Sequence, residues 1–160
     1  MQSVTLLCVG KLKEKFYADA CAEYQKRLSR YCRFRLIELP EQRLGDAPSE
    51  AEIAAALDRE ADAITEKLPR GGAVIALCIE GKELPSEQFS AAMARYATQG
   101  VSQLTFLIGG SFGMAERIKH AADLRLSMSP MTFPHHLARV MLLEQIYRAY
   151  QIQNGTKYHK

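Results

Sequence analysis

The sequence lacks any apolar run long enough to span a membrane or to form the core of a signal peptide. Its longest early one runs only from Val4 to Val9. A soluble, cytoplasmic protein with no membrane partner is the expectation. Cysteine pairs are missing too. Cys8, Cys21, Cys32 and Cys78 form no C-x-x-C pair and no zinc-like spacing, so they read as ordinary thiols in a reducing compartment, and no metal site is expected. Repeats and low-complexity linkers are absent, so residues 1–160 are expected to form a single domain. Nor does one sign of charge dominate: 21 Lys and Arg face 18 Asp and Glu, a net of +3. The small excess is unevenly placed. Through Arg35 eight basic residues face three acidic ones, leaving +5 there and −2 on the remainder. A basic N-terminal third points to a phosphate-rich partner, although solvated helix faces carry such charge as well.

What is present is a regular alternation of two periodicities. Val4–Val9 and Ala73–Ile79 are continuously apolar and read as strands buried on both faces. Phe34–Leu39 reads as another strand, ended by Pro40, and Leu104–Ile108 and Leu124–Met128 as two more. Between them lie helical patterns. Phe16, Tyr17, Ala20, Cys21, Tyr24 and Leu28 recur along one face, as do Ile53, Leu57, Ala61, Ile64 and Leu68. Ser49 and Glu52 have capping-box spacing at the start of the second helix. Pro85-Ser86 opens a third helix that Gly100 closes, Ala115–Ala122 forms a short one, and Pro134 begins the last. The pattern predicts an α/β domain, a mostly parallel sheet with helices on both faces. Ligands of such sheets bind beyond the carboxyl ends of the strands.

Three stretches carry possible chemistry. Gly109-Gly110-Ser111-Phe112-Gly113 follows a strand and precedes a helix, where backbone can approach a ligand closely. It is neither G-x-G-x-x-G nor a Walker loop, so it is a tight structural turn or a ligand-hugging turn of another class. Leu126–Pro134 is apolar yet carries Pro130 and Pro134, which rules out a regular helix or a central strand. Its main-chain N–H and C=O groups therefore need other partners, either an adenine and ribose or neighbouring loops. On the last helix, Leu143, Ile146, Tyr147 and Tyr150 centre an apolar face, with Glu144, Arg148 and Gln151 opposite. Arg139 falls within that apolar face, and His135 lies one turn before it. A buried guanidinium needs an anion: a structural acid, an RNA phosphate, a cofactor carboxylate or an acid across a subunit interface. The final Tyr158-His159-Lys160 is a frayed end or a nucleic-acid contact.

Taken together, these segments resemble the ribosomal RNA large-subunit methyltransferase H family, the minimal SPOUT methyltransferases. The resemblance runs from Val9-Gly10-Lys11 through Glu23–Leu28, Glu80-Gly81-Lys82 and Ile108-Gly109-Gly110. It continues through Met131–His135, Arg139 and Glu144–Ala149 to Tyr158-His159-Lys160, with His136 where the family pattern has glutamine. It implies a SPOUT-type fold with a C-terminal trefoil knot, a homodimer, and S-adenosylmethionine as cofactor. The implied reaction is methylation of N3 of a pseudouridine in large-subunit (23S) ribosomal RNA on the assembled ribosome. Carried over, the cofactor contacts are Leu77, Gly109, Met128, Ser129, Pro130, Met131, Thr132 and Phe133. His135, Arg139, Tyr158 and His159 are the catalytic candidates, for placing RNA or managing the N3 proton. A bulky side chain at Gly109 is expected to block the cofactor and spare the fold. The rival readings are a SPOUT enzyme acting on transfer RNA, a non-enzymatic ribosome-binding protein and a nucleotide-dependent oxidoreductase. The last lacks its fingerprint.

Overall fold

A computed structural model describes all residues, Met1–Lys160. The alternation read from the sequence becomes β1 (Ser3–Val9), α1 (Lys15–Leu28), β2 (Arg33–Leu39), α2 (Glu50–Lys67) and β3 (Ala73–Glu83). It continues as α3 (Ser86–Thr98), β4 (Gln103–Ile108), α4 (Glu116–Ala121), β5 (Leu124–Ser127) and α5 (His135–Gln153). The five strands form one sheet in the order β2-β1-β4-β3-β5, and every pairing is parallel. Parallel strands need crossover helices, and those helices cover both faces. Val4, Leu6 and Cys8 of β1 pack with α1, α3 and α5. The alternate residues Leu7 and Val9 pack with α2 and α4. That two-sided burial is why β1 reads as an unbroken apolar run.

Local signals set the helix ends. Ser49 accepts the Glu52 N–H at 3.1 Å while Glu52 Oε1 accepts the Ser49 N–H at 3.3 Å, a complete capping box on α2. Gly100 ends α3 with φ +81°, in the left-handed region that glycine enters without strain. Helices α3 and α5 run parallel with an offset of 59 residues. Ser86 Oγ donates to Gln145 Oε1 at 2.7 Å, and Ser90 Oγ to Ala149 O at 2.8 Å.

Four details differ from the sequence reading. Phe16, assigned to the inner face of α1, is 66% exposed. It starts the helix, where α1 has not yet reached the core that Cys21 and Leu28 enter. Gln151, placed opposite the apolar face, is buried at 4%, its side-chain oxygen accepting from Thr156 Oγ1 at 2.8 Å. Helix α5 is thus covered beyond a single stripe. The fifth strand stops at Ser127. The stretch Glu80-Gly81-Lys82 lies within an irregular β3. Leu77 and Lys82 both pair with Leu126, so residues 78–81 loop out between two contacts with one β5 residue. Only glycine fits at the return, since a Cβ on Gly81 would lie 2.8 Å from the Leu126 main chain.

Arg139 has the largest fully buried side chain in the protein, at 1% exposure. Its Nη1 donates to Glu38 Oε2 at 2.6 Å, at the end of β2, and its Nη2 to Gly10 O at 3.1 Å, just past β1. A structural acid therefore answers the guanidinium. Replacing Glu38 by alanine strands that charge and is expected to cost about 3 kcal/mol, read as a lower urea midpoint with an unchanged slope.

Candidate active site

The strand order reverses direction between β1, which connects outward to β2, and β4, whose crossover leads past β3 to β5. A ligand crevice is expected there. In this chain that position is filled. Arg139 bridges the neighbouring pair of strand ends, from Glu38 of β2 to Gly10 O after β1. Glu41 enters from the loop after β2, its Oε1 accepting the Ser111 N–H at 2.7 Å. The open cleft, of about 640 Å³, lies one strand further along, at the carboxyl ends of β3, β4 and β5. That volume is within the range of small-molecule sites.

Three segments build its wall. Leu77, Cys78, Ile79 and Glu80 come from the looped-out part of β3. Ile108, Gly109, Gly110, Ser111, Gly113 and Met114 come from the turn after β4. Ser127, Met128, Ser129, Met131, Thr132, Phe133, Pro134, His135 and Ala138 come from the loop after β5 and the first turn of α5. Lys119 of α4 closes one side, its Nζ 2.6 Å from Glu80 Oε1.

The loop after β5 is irregular but not slack. Ser127 Oγ donates to Ser129 O at 3.1 Å, and the Met131 N–H donates to Ser129 Oγ at 3.0 Å. Outside the helices and strands, no backbone–backbone hydrogen bond starts from an N–H of residues 128–133. The loop thus offers main-chain donors and acceptors beside an apolar wall, the partners an adenine edge requires.

The glycine turn is tight for its own sake. The Gly113 N–H donates to Gly110 O at 3.1 Å, and the two residues form an antiparallel bridge. A Cβ on Gly109 would sit 2.3 Å from Gly113 O, and one on Gly110 would sit 2.6 Å from Glu41 Oε1. The expectation for Gly109→Val is therefore corrected. The added side chain collides with the turn's own backbone and distorts the turn, so it does not isolate ligand binding.

Of the residues chosen from the sequence, Leu77, Gly109, Met128, Ser129, Met131, Thr132 and Phe133 meet around the cleft, and Pro130 lies in the same loop without lining it. The four catalytic candidates separate. His135 is in the wall, and its Nε2 is buried with no partner. Arg139 lies one turn behind, committed to Glu38 and Gly10. Tyr158 and His159 do not line this cleft. The Tyr158 hydroxyl donates to Glu144 Oε1 at 3.1 Å, its ring meets Tyr147 edge-on, and the Arg148 guanidinium lies 4.8 Å from its centroid. Burial, together with the Glu144 bond, pushes the phenol up to about 12. Arg148 can only donate, so His159 Nδ1 accepts from it at 3.1 Å and Nε2–H donates to Glu87 at 2.8 Å. The chain end is docked on α3 and α5.

Sequence reasoning missed Glu41, Met114, Lys119 and Ala138. Only Glu41 had a local signal, an acid just after a strand end. The others reach the cleft through the crossover of α4 and the entry of α5.

Comparison with known proteins places the chain in a family. A family model described as "Predicted SPOUT methyltransferase" matches residues 2–159. The chain belongs to the SPOUT methyltransferase family. Its relatives include the "Ribosomal RNA large subunit methyltransferase H" of Streptococcus equi subsp. zooepidemicus, 48% identical over 157 residues, covering 98% of this chain and 99% of the relative. The protein of that name from Streptococcus thermophilus has the same identity and coverage. A solved structure of a probable methylase family protein from Haemophilus influenzae Rd KW20 aligns with a TM-score of 0.56. It covers 99% of this chain and 71% of that one at 11% identity, a likeness of fold alone. Membership of this family implies methyl transfer as the chemistry of the chain. No helix is long and apolar enough to cross a membrane.

Two outcomes test the site. Ala138 is a cleft-lining residue on a regular helix, so Ala138→Leu narrows the cavity without entering the glycine turn. Calorimetry is expected to show at least about tenfold weaker binding of S-adenosylmethionine, with helix content by circular dichroism retained. The second concerns pH. Burial, reinforced by His136, holds the His135 imidazole below its ordinary value of 6.5. The unfolded chain therefore takes up this proton first as pH falls. The contribution of His135 to stability is intact above pH 6.5 and declines as pH drops below it. His135→Asn should reduce the acid-side loss of urea resistance.

Proposed function

We propose that this protein transfers a methyl group from S-adenosylmethionine to N3 of a pseudouridine in large-subunit (23S) ribosomal RNA, acting in the cytoplasm on the assembled ribosome. Two relatives carrying the name "Ribosomal RNA large subunit methyltransferase H" align end to end with the chain, which supports the substrate class. The observation that carries the cofactor reading is the cleft itself. Leu77, Ile108, Met114 and Ala138 line it with apolar groups, and the loop after β5, with no backbone–backbone hydrogen bond from the N–H groups of residues 128–133 outside the helices and strands, forms another part of its wall. Those features fit a purine nucleoside, and Lys119 and Glu80 at the edge fit the charged amino-acid end of the same molecule.

The sulfonium of S-adenosylmethionine supplies an already activated methyl group, so the protein's work is placement, exclusion of water and removal of the N3 proton. Loop residues 128–133 and the glycine turn hold the donor side. His135 is suited to the proton, because it stands in the cleft wall and burial keeps its imidazole neutral at physiological pH. In this reading the methyl group would pass directly from the donor's sulfur to N3, and the His135 imidazole would take the N3 proton.

A homodimer belongs to the same reading. Part-exposed Leu137, Met141 and Ile152 on α5 favour it, as does a docked Tyr158-His159 end that a protomer's own cleft does not use. The trefoil knot that the family resemblance implies belongs to it too. With a net charge of only +3, specificity depends on the ribosome as a whole, so free RNA is the poorer substrate.

The test is methyl transfer from labelled S-adenosylmethionine to intact ribosomes, with the label mapped. Incorporation at a large-subunit pseudouridine is the expected result, and label confined to transfer RNA overturns it. Deleting residues 158–160 should reduce single-turnover transfer at least about a hundredfold while leaving cofactor affinity within about twofold. Normal turnover would remove the chain end from the site.

A further inference from the structure

We infer that the β1–α1 turn, with Lys11 and Lys13 beside Phe16, is the edge on which a single-stranded stretch of the substrate RNA docks as it enters the cleft. The inference rests on the reading of the protein as an RNA methyltransferase and adds the surface that reading leaves open.

Four rings lead from solvent to the cleft wall. Phe16 is 66% exposed, and its centroid is 4.4 Å from that of Tyr17. Tyr17 is 6.1 Å from His136, and His136 is 4.1 Å from His135, which lines the cleft. An exposed phenylalanine at the first turn of a helix has no packing reason to be there. Its large apolar face is available for stacking, and every base has a π-face to offer.

The charge beside the rings is of the matching sign. Lys11 and Lys13 are exposed and take part in no ion pair, whereas Lys15 is bonded to Asp19 at 2.6 Å and Glu14 faces His136 at 3.7 Å. Asp19 is thus already paired, and two lysines remain free for phosphates. The base of the turn is fixed. Gly10 takes φ +100°, its N–H donates to Leu39 O at 2.7 Å, and its carbonyl accepts from the buried Arg139. A rigidly held turn that displays two cations and an aromatic ring, continuous with the cleft, matches a flexible RNA strand better than a second copy of this positively charged chain.

The test compares wild type, Lys11→Ala/Lys13→Ala and Phe16→Ala in methylation of intact ribosomes across a salt series. Affinity for S-adenosylmethionine and sedimentation are measured alongside. Removing two phosphate contacts on a single strand should flatten the dependence of log kcat/KM on log salt by about 1.4. Phe16→Ala should raise KM on the order of tenfold, with cofactor affinity unchanged. Wild-type salt dependence and KM in both variants would overturn the inference. So would a change of oligomeric state in Phe16→Ala, which would assign the face to a second copy. If the wild-type protein itself transfers no methyl group to ribosomal RNA, the underlying reading fails instead.

Discussion

One buried cation organises the site end of this molecule. Arg139 is almost wholly removed from water, and an unpaired guanidinium there would cost several kcal/mol. The cost is offset because the carboxyl ends of two strands converge on it, β2 through Glu38 and β1 through Gly10 O. Helix α5 can therefore seat its first turn in only one way, and that seating puts His135 and Ala138 in the cleft wall. The pair contributes little net stability compared with an apolar core. What it supplies is register, since a shift of α5 by one residue would leave a charge stranded.

The cleft illustrates how irregular backbone is kept rigid. Its three walls are a looped-out strand, a glycine turn and a proline-broken loop, none of which has a full ladder of hydrogen bonds. Each is held by a close approach instead: Gly81 on Leu126, Gly109 on Gly113, and Ser129 bridging its own loop. Glu41 adds a fourth tie by accepting from Ser111 while lying against Gly110. The three segments that lack a full ladder are also the ones that line the cleft, so irregular backbone and the cavity coincide.

The chain end shows the opposite arrangement, polar side chains in a dense network on the surface. Glu144, Arg148, Tyr158, His159 and Glu87 satisfy one another across three segments. A terminus held in this way is pre-organised, and ordering it costs nothing further when it meets another surface.

Periodicity and punctuation alone determined the element order, the parallel α/β class and the two-sided helix cover, because buried strands, amphipathic helices and capping residues are local signals. The capping box at Ser49 and Glu52 was legible for that reason, and so was the need of Arg139 for an anion. Most of the cleft's wall was also visible, as glycine and proline disturb regular patterns wherever they occur. Tertiary structure decided the rest. It made Glu38 the partner of Arg139 over 101 residues, moved the cleft one strand from the reversal in strand order, and brought Lys119 and Ala138 to its edge. It also left Phe16 in solvent and buried Gln151. A helical wheel records which side a residue faces but not where along its axis the neighbouring element begins and ends, and those offsets exist only once the sheet has assembled.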